Sequence, residues 1–245
     1  MKIQYLVPGP MSQGPMGLKE MQRREGLLNL WAFKGTEVTV VDVPDGPASI
    51  ESSYEELLSV PATLEGVMQA EKDGYDAVIL GCFGDPGLEA ARELVKIPVI
   101  GPGESSLLLG ASLGHRFSVI TILDNVVAGQ ELQAYKAGVR RKLASVRATD
   151  IPVLDLMKDK AKSLKRVIEV GRQAVTEDRA DTLMLGCMTM SFLDVADEIS
   201  SALGVPVINA GMAALKAAES LVSLRLAHSK RAFPTPPKLL QAVAG

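Results

Sequence analysis

The sequence YDAVILGC at residues 75–82 returns as ADTLMLGC at residues 180–187, an Asp, an apolar run, then Leu-Gly-Cys. A Pro-Val-Ile triplet follows each copy, at residues 98–100 and 206–208. A short apolar run that ends in glycine predicts a buried strand followed by a turn. The repeat therefore predicts two equivalent halves, each with one cysteine at the carboxyl end of a strand.

Strand patterns alternate with helical patterns along the rest of the chain. The clearest helix is predicted over residues 160–176, where apolar or small residues recur with a 3.6-residue period. Alternating strands and helices give parallel sheets with right-handed crossovers. Beyond the two repeated strands, we predict strands at residues 3–7, 37–43, 99–100, 117–121, 145–148 and 205–208.

The predicted fold is therefore α/β, with two pseudo-symmetric Rossmann-like lobes, each built on a parallel sheet. We place residues 1–105 and 211–245 in a first lobe that carries Cys82, and residues 106–210 in a second that carries Cys187. In parallel sheets ligands bind outside the carboxyl ends of the strands. The active site is expected between the lobes.

Composition narrows the classes of partner. The 245 residues carry a formal net charge of -3 with a pI near 5.6, which argues against nucleic acid or an anionic membrane as partner. No apolar stretch of about 20 residues and no signal-peptide pattern is present, so we expect a soluble, cytoplasmic protein. With two histidines and no clustered ligands, we expect no metal site.

The two cysteines are the only ones in the chain. They could be inert core residues, a disulfide or a reactive pair, and a disulfide is disfavoured in a reducing compartment. Their equivalent positions in a repeated unit favour the reactive pair. Each is predicted just before a helix, whose N–H groups would lower the pKa of a thiol.

Several motifs together resemble the hydantoin racemase branch of the aspartate/glutamate racemase superfamily, over about residues 40 to 225. These motifs are CFGDPGL at 82–88, IPVIG at 97–101, LGHRFSVIT at 113–121, LGC at 185–187 and GPASIE at 46–51. The resemblance implies an aspartate/glutamate racemase-like fold, an interdomain site, two cysteine acid/bases and no cofactor. It also implies a homo-oligomer and a hydantoin or allantoin as small-molecule substrate.

Two positions depart from the family pattern. The family's Asn-Pro-Asn-Thr-like turn after the first strand reads Val-Pro-Gly-Pro at residues 7–10, and Pro8 is our candidate substrate contact there. The family's Ala-Gly-Met after the second cysteine reads Met-Thr-Met at residues 188–190. The cysteines survive both changes, so the proton chemistry is better supported than the substrate.

The chemistry assigns roles to further residues. One cysteine, as thiolate, would remove the proton beside a ring carbonyl, and the other, as thiol, would return one from the opposite face. Backbone N–H groups around Phe83, Gly84, Met188 and Thr189 are candidates to hold the developing oxyanion. Thr121, at a strand end, is a candidate to hydrogen-bond the ring.

Three hypotheses stay open from the sequence. The first is a cofactor-independent racemase of a cyclic ureide. The second is another isomerase of the superfamily, such as a maleate-type cis–trans isomerase or an amino-acid racemase. The third is a non-catalytic two-lobe binding module, which needs no paired thiols. The candidate loops carry almost no charge, which favours a neutral or weakly acidic ring.

We predict that Cys82 and Cys187 face each other across a cleft. A substrate carbon must fit between them, so the sulfurs should lie about 6–8 Å apart, two near-attack contacts of about 3–3.5 Å. A crystal structure measures this distance directly. Thiols in separate cores, or joined in a disulfide, would rule out the paired-thiol interpretation.

Overall fold

The computed structural model describes residues 1–239 and contains two parallel four-stranded sheets. The first sheet consists of β1 (Lys2–Val7), β2 (Glu37–Asp42), β3 (Ala77–Leu80) and β4 (Val99–Ile100). The second consists of β5 (Phe117–Thr121), β6 (Leu143–Ala148), β7 (Thr182–Leu185) and β8 (Val207–Ile208). Their strand orders, β2-β1-β3-β4 and β6-β5-β7-β8, are equivalent. The prediction of a two-lobe α/β fold is confirmed.

Helices connect the strands and cover the sheets. They are α1 (Gly17–Trp31), α2 (Ser53–Lys72), α3 (Leu88–Leu94), α4 (Pro102–Leu113), α5 (Val127–Lys136), α6 (Lys160–Thr176), α7 (Met188–Ser191), α8 (Ala196–Leu203) and α9 (Ala210–Ser223). Helix α6 has the bounds that its periodicity predicted. Among residues 1–239, no helix combines the length and the apolar character needed to cross a bilayer.

The Asp of each repeat accepts a hydrogen bond from the backbone at or just before the start of the central strand of its sheet, β1 or β5. An oxygen of Asp76 accepts a hydrogen bond from the backbone N–H of Lys2 at 2.7 Å. In the second lobe, Asp181 accepts one from the N–H of His115 at 2.8 Å, just before β5. Both carboxylates lie at the sheet edge away from the cysteines, so they serve the fold.

The glycine of each repeat allows two backbones to approach closely. The N–H of Gly81 donates to the carbonyl of Leu6 at 2.7 Å, and that of Gly186 donates to Ile120 at 2.8 Å. A Cβ added to Gly81 would lie 2.7 Å from the Leu6 oxygen, and one added to Gly186 would lie 2.5 Å from Val119 Cγ1. Each repeated strand thus stays against the central strand up to its cysteine.

The lobes share part of their core. Helix α4 packs against α9 and β7, whereas α9 packs against β3 and β4 of the first sheet. One apolar cluster includes Tyr5 and Ile79 of the first sheet together with Phe117 and Met184 of the second. The lobe boundaries that we drew at residues 105 and 211 stay a prediction.

The chain after α9 returns to the first lobe, and we name residues 226–239 the C-terminal arm. The ring N–H of His228 donates to the carbonyl of Val99 at 2.9 Å, and Lys230 Nζ donates to the carbonyl of Arg92 at 2.8 Å. Phe233 packs edge-to-face on His228, with ring centroids 6.0 Å apart. The rest of the predicted first lobe, residues 240–245, lies outside the described residues.

We predict that Gly81→Ala and Gly186→Ala each destabilise the protein, by about 1–3 kcal/mol, because the added methyl overpacks a close approach. Gly81→Ala should cost more, since its methyl meets a backbone oxygen that cannot rotate away. Urea denaturation measures the free energy of unfolding. The control is Gly26→Ala in α1, where an added Cβ meets no atom within 4 Å and helix propensity favours Ala. Equal stabilities for all three variants would contradict the argument.

Candidate active site

Both cysteines are free thiols and lie at the carboxyl ends of equivalent strands. Cys187 is the N-cap residue of α7 and is 8% exposed. Cys82 is partly buried and precedes a turn in which Asp85 N donates to the Cys82 carbonyl. Helix α3 begins only at Leu88. The expectation that each cysteine precedes a helix directly is therefore right for Cys187 and wrong for Cys82.

A cavity of about 800 Å³ between the two lobes is lined by both cysteines. The predicted contacts that share this lining are Pro8, Phe83, Gly84, Met188 and Thr189. The volume is typical of a small-molecule site. The separation of the two sulfurs stays a prediction.

Thr121 does not reach the cavity surface. Its side chain is fully buried, its hydroxyl accepts a hydrogen bond from Gln130 Nε2 at 2.8 Å, and it lies 3.4 Å from the carbonyl oxygen of Gly186. With its hydroxyl occupied by these neighbours, Thr121 supports the backbone just before Cys187. Its assignment as a substrate contact is therefore not supported by the geometry.

Helix α5 touches the loops that carry both cysteines. Gln130 Nε2 donates to the carbonyl of Gly186, directly before Cys187, at 3.0 Å. Gln133 Nε2 donates to the carbonyl of Phe83, directly after Cys82, at 2.8 Å. One helix of the second lobe thus ties the two loops to each other, and sequence reasoning missed both glutamines.

Charged side chains enter the cavity from helices. Arg24 of α1, Glu56 of α2 and Lys136 of α5 line it. The expectation of an almost uncharged site considered only the loops and is therefore incomplete. For Arg24 a signal existed, since it shares the buried face of α1 with Met21 and Leu28.

Burial raises the pKa of both thiols. For Cys82, the backbone N–H of Gly84 acts in the opposite direction, while the charges of Cys187, Asp85 and Glu56 raise the pKa further. In the ligand-free protein, desolvation therefore raises the pKa of the thiol by more than the backbone N–H group, which we expected to lower it, can offset.

Desolvation also raises the pKa of Cys187. The N–H groups of Met190 and Thr189 oppose that increase, as does the positive charge of Arg24, whereas Glu51 adds to it. The thiol at the start of α7 therefore has more groups that favour its thiolate than Cys82 has.

Asp85 caps a helix that starts 17 residues further along the chain. Its carboxylate accepts hydrogen bonds from the N–H groups of Gly103 at 2.9 Å and Glu104 at 2.7 Å, in the first turn of α4. Gln133 Nε2 donates to it as well, at 2.8 Å. Burial raises the pKa of Asp85 to about 7, although these three donors act to lower it.

The chain matches the family model of the Asp/Glu/Hydantoin racemases over residues 29–218. It is 39% identical over 199 residues to the hydantoin racemase of Pseudomonas sp. (strain NS671). The aligned region covers 81% of this chain and 79% of the relative. The hydantoin racemase of Rhizobium meliloti is 40% identical over 195 residues, 80% of each chain.

Solved structures give a similar result. An allantoin racemase from Klebsiella pneumoniae superposes with a TM-score of 0.88 at 32% identity, over 96% of this chain and 94% of that one. An allantoin racemase from Pseudomonas fluorescens gives 0.89 at 32% identity, over 97% of each. A glutamate racemase from Francisella tularensis, at 15% identity, shares the fold with a TM-score of 0.63 over 93% of this chain and 83% of that one.

We predict that the stability contributed by Asp85 is lost as the pH rises from about 4 to about 7. A carboxyl with an ordinary pKa of about 3.9 when unfolded and a raised pKa when folded contributes its stability fully below about pH 4 and loses it through about pH 7. Asp85→Asn cannot titrate. The unfolding free energy of the wild type minus that of the variant should therefore fall between about pH 4 and 7 and level off above about pH 8 in urea titrations.

The difference between the two proteins isolates Asp85 from other titrating groups, and a second variant serves as control. His228, whose pKa burial lowers to about 4, changes stability in the opposite direction, but it is present in both proteins and cancels in the difference. The exposed Asp124 provides the matched variant, and Asp124→Asn is measured in parallel to give the effect of removing a surface carboxyl. A constant difference for Asp85→Asn would contradict the raised pKa.

Proposed function

The chain belongs to the Asp/Glu/Hydantoin racemase family and is an isomerase, and we propose that it racemises a 5-substituted hydantoin or a related, allantoin-like cyclic ureide without a cofactor. The observation that carries the proposal is that its two cysteines, free and equivalent in the repeat, line one cavity. The hydantoin and allantoin racemases among its relatives support the substrate class.

The proposed reaction moves one proton on and one proton off the ring carbon. A thiolate takes the hydrogen from the carbon beside the carbonyl and becomes a thiol, and the electron pair of that bond passes to the carbonyl as an enolate. The opposite thiol then gives its proton to the other face of the carbon and becomes a thiolate. The ring leaves with inverted configuration, and no external acid, base or oxidant is consumed.

The raised pKa of both thiols suits this chemistry. A base with a high pKa has more driving force to remove a carbon-bound proton, although less of it is ionised near neutral pH. Gly84 and Thr189 line the cavity, and the backbone N–H groups near them are candidates to stabilise the enolate oxygen. Arg24 adds a positive charge to the same cavity.

The departures at residues 7–10 and 188–190 concern the substrate. Val7 and Gly9 line the cavity at the positions of the two asparagines in the family's turn, so this wall is more apolar. We therefore favour a ring with an apolar substituent. Incubating the protein with chiral 5-substituted hydantoins, allantoin and amino acids in deuterated water, and reading proton loss at the stereocentre, tests the class.

We predict that Cys82→Ser and Cys187→Ser each abolish racemisation, because inversion needs a base on one face and an acid on the other. The remaining thiolate can still abstract a proton from the enantiomer whose hydrogen faces it. Each variant should therefore wash deuterium into one enantiomer only, and the two variants should choose opposite enantiomers. Proton NMR of each resolved enantiomer in deuterated water measures the exchange.

The other hypotheses give different results in this experiment. A nucleophilic isomerase forms a covalent adduct through one cysteine, which mass spectrometry detects, and shows no stereospecific exchange in the other variant. A binding module shows no exchange in any protein. Exchange of the same enantiomer by both variants, or racemisation at the wild-type rate by either, would refute the paired-thiol assignment.

A further inference from the structure

A buried positive charge lies on the wall that carries Cys187. Arg24 is 1% exposed, and its Nη2 donates to the hydroxyl of Thr189, two residues after that cysteine, at 2.9 Å. Its Nε donates to Glu20 at 2.9 Å, and its guanidinium carbon lies 4.8 Å from the centroid of the Phe192 ring. These partners hold the guanidinium at a fixed place inside the protein.

Negative groups lie on the wall that carries Cys82. A Cβ built on Gly84 would be 3.8 Å from both the Cys82 sulfur and a carboxylate oxygen of Glu56, so thiol and carboxylate flank the same small space. Within residues 1–239, the Glu56 carboxylate makes no hydrogen bond. Asp85 follows three residues after the cysteine. A thiolate on Cys82 would face repulsion from these carboxylates.

The other ionisable groups near the two thiols do not cancel the difference in local charge between the Cys187 wall and the Cys82 wall. Glu51 lies on the Cys187 side, but its carboxylate is engaged with the N–H of Val153 at 2.7 Å. Lys136 acts on Glu56, whose pKa burial raises. Tyr5 is near both thiols and is fully buried, and burial raises its pKa, so its hydroxyl stays neutral.

We propose that the two cysteines are inequivalent in the ligand-free protein, and that Arg24 and Glu56 make Cys187 lose its proton before Cys82. This order is a property of the protein without substrate. Its consequence for turnover rests on the proposed function: the enantiomer whose hydrogen faces Cys187 meets the thiol that ionises first. After that reaction the negative charge lies on Cys82, so Cys82 must gain a proton and Cys187 must lose one before the next identical turnover.

The order of deprotonation can be read by alkylation. The wild-type protein, without ligand, is pulsed with iodoacetamide across a pH series, and the modified fraction of each cysteine is quantified by peptide mass spectrometry. The midpoint of each pH curve reports the thiolate, whereas accessibility changes only the plateau. We expect the lower midpoint at Cys187, although Cys82 is the less buried thiol. A lower midpoint at Cys82, or coincident midpoints, would overturn the proposal.

Charge variants test the assigned cause. Arg24→Met should slow Cys187 alkylation about tenfold at a pH below the midpoint, which corresponds to about one pKa unit, and Arg24→Lys should restore much of it. Arg23→Met, which removes a neighbouring arginine that also binds Glu20, is the matched control and should leave the rate unchanged. Circular dichroism verifies that each variant is folded.

Glu56 offers a test that does not require altering a buried residue. Glu56→Gln should lower the midpoint of Cys82 and leave that of Cys187 nearly unchanged, whereas Glu65→Gln, an exposed change on the same helix, should alter neither. Unchanged midpoints in Arg24→Met and Glu56→Gln would refute the assigned cause. Because alkylation needs no substrate, a failure here is distinct from a failure to racemise.

Discussion

One hydrogen bond, made twice, places the chemistry of this protein. In each lobe the N–H of the glycine before the cysteine donates to the carbonyl of the central strand, Gly81 to Leu6 and Gly186 to Ile120. The bond requires two backbones to be closer than a side chain allows. It holds the end of β3 and of β7 in the sheet, so the next residue, a cysteine in both lobes, emerges at the edge where ligands bind.

Helix α5 then determines how the two halves meet. Its two glutamines, one helical turn apart, donate to the carbonyl before one cysteine and the carbonyl after the other. Each glutamine donates through a single amide nitrogen, and its carbonyl oxygen has no hydrogen-bond partner among the described residues. The lobes cannot separate at this point without breaking the bonds of Gln133 to Phe83 and Asp85.

The sequence was most informative where a contact is local or periodic. The spacing of apolar residues predicted the strand positions and the bounds of α6, and the sequence repeat predicted the equivalent placement of the two cysteines. The role of Asp85 did not, because its partners lie 18 and 19 residues further along the chain. Glu56 and the α5 glutamines were missed for the same reason. Thr121 was assigned to the site because strand ends point there, but its hydroxyl is occupied beneath the surface.

The C-terminal arm contributes to the binding cavity although it lies outside both sheets. The last strand ends at Ile208, yet Phe233 lines the cavity, with the Arg92 guanidinium 5.6 Å from its ring centroid. Arg92 in turn pairs with Glu104, the residue whose N–H donates to Asp85. The cavity wall therefore depends on a segment that follows the last strand and α9 in the chain, so removing the arm would open the binding chamber while leaving every strand in place.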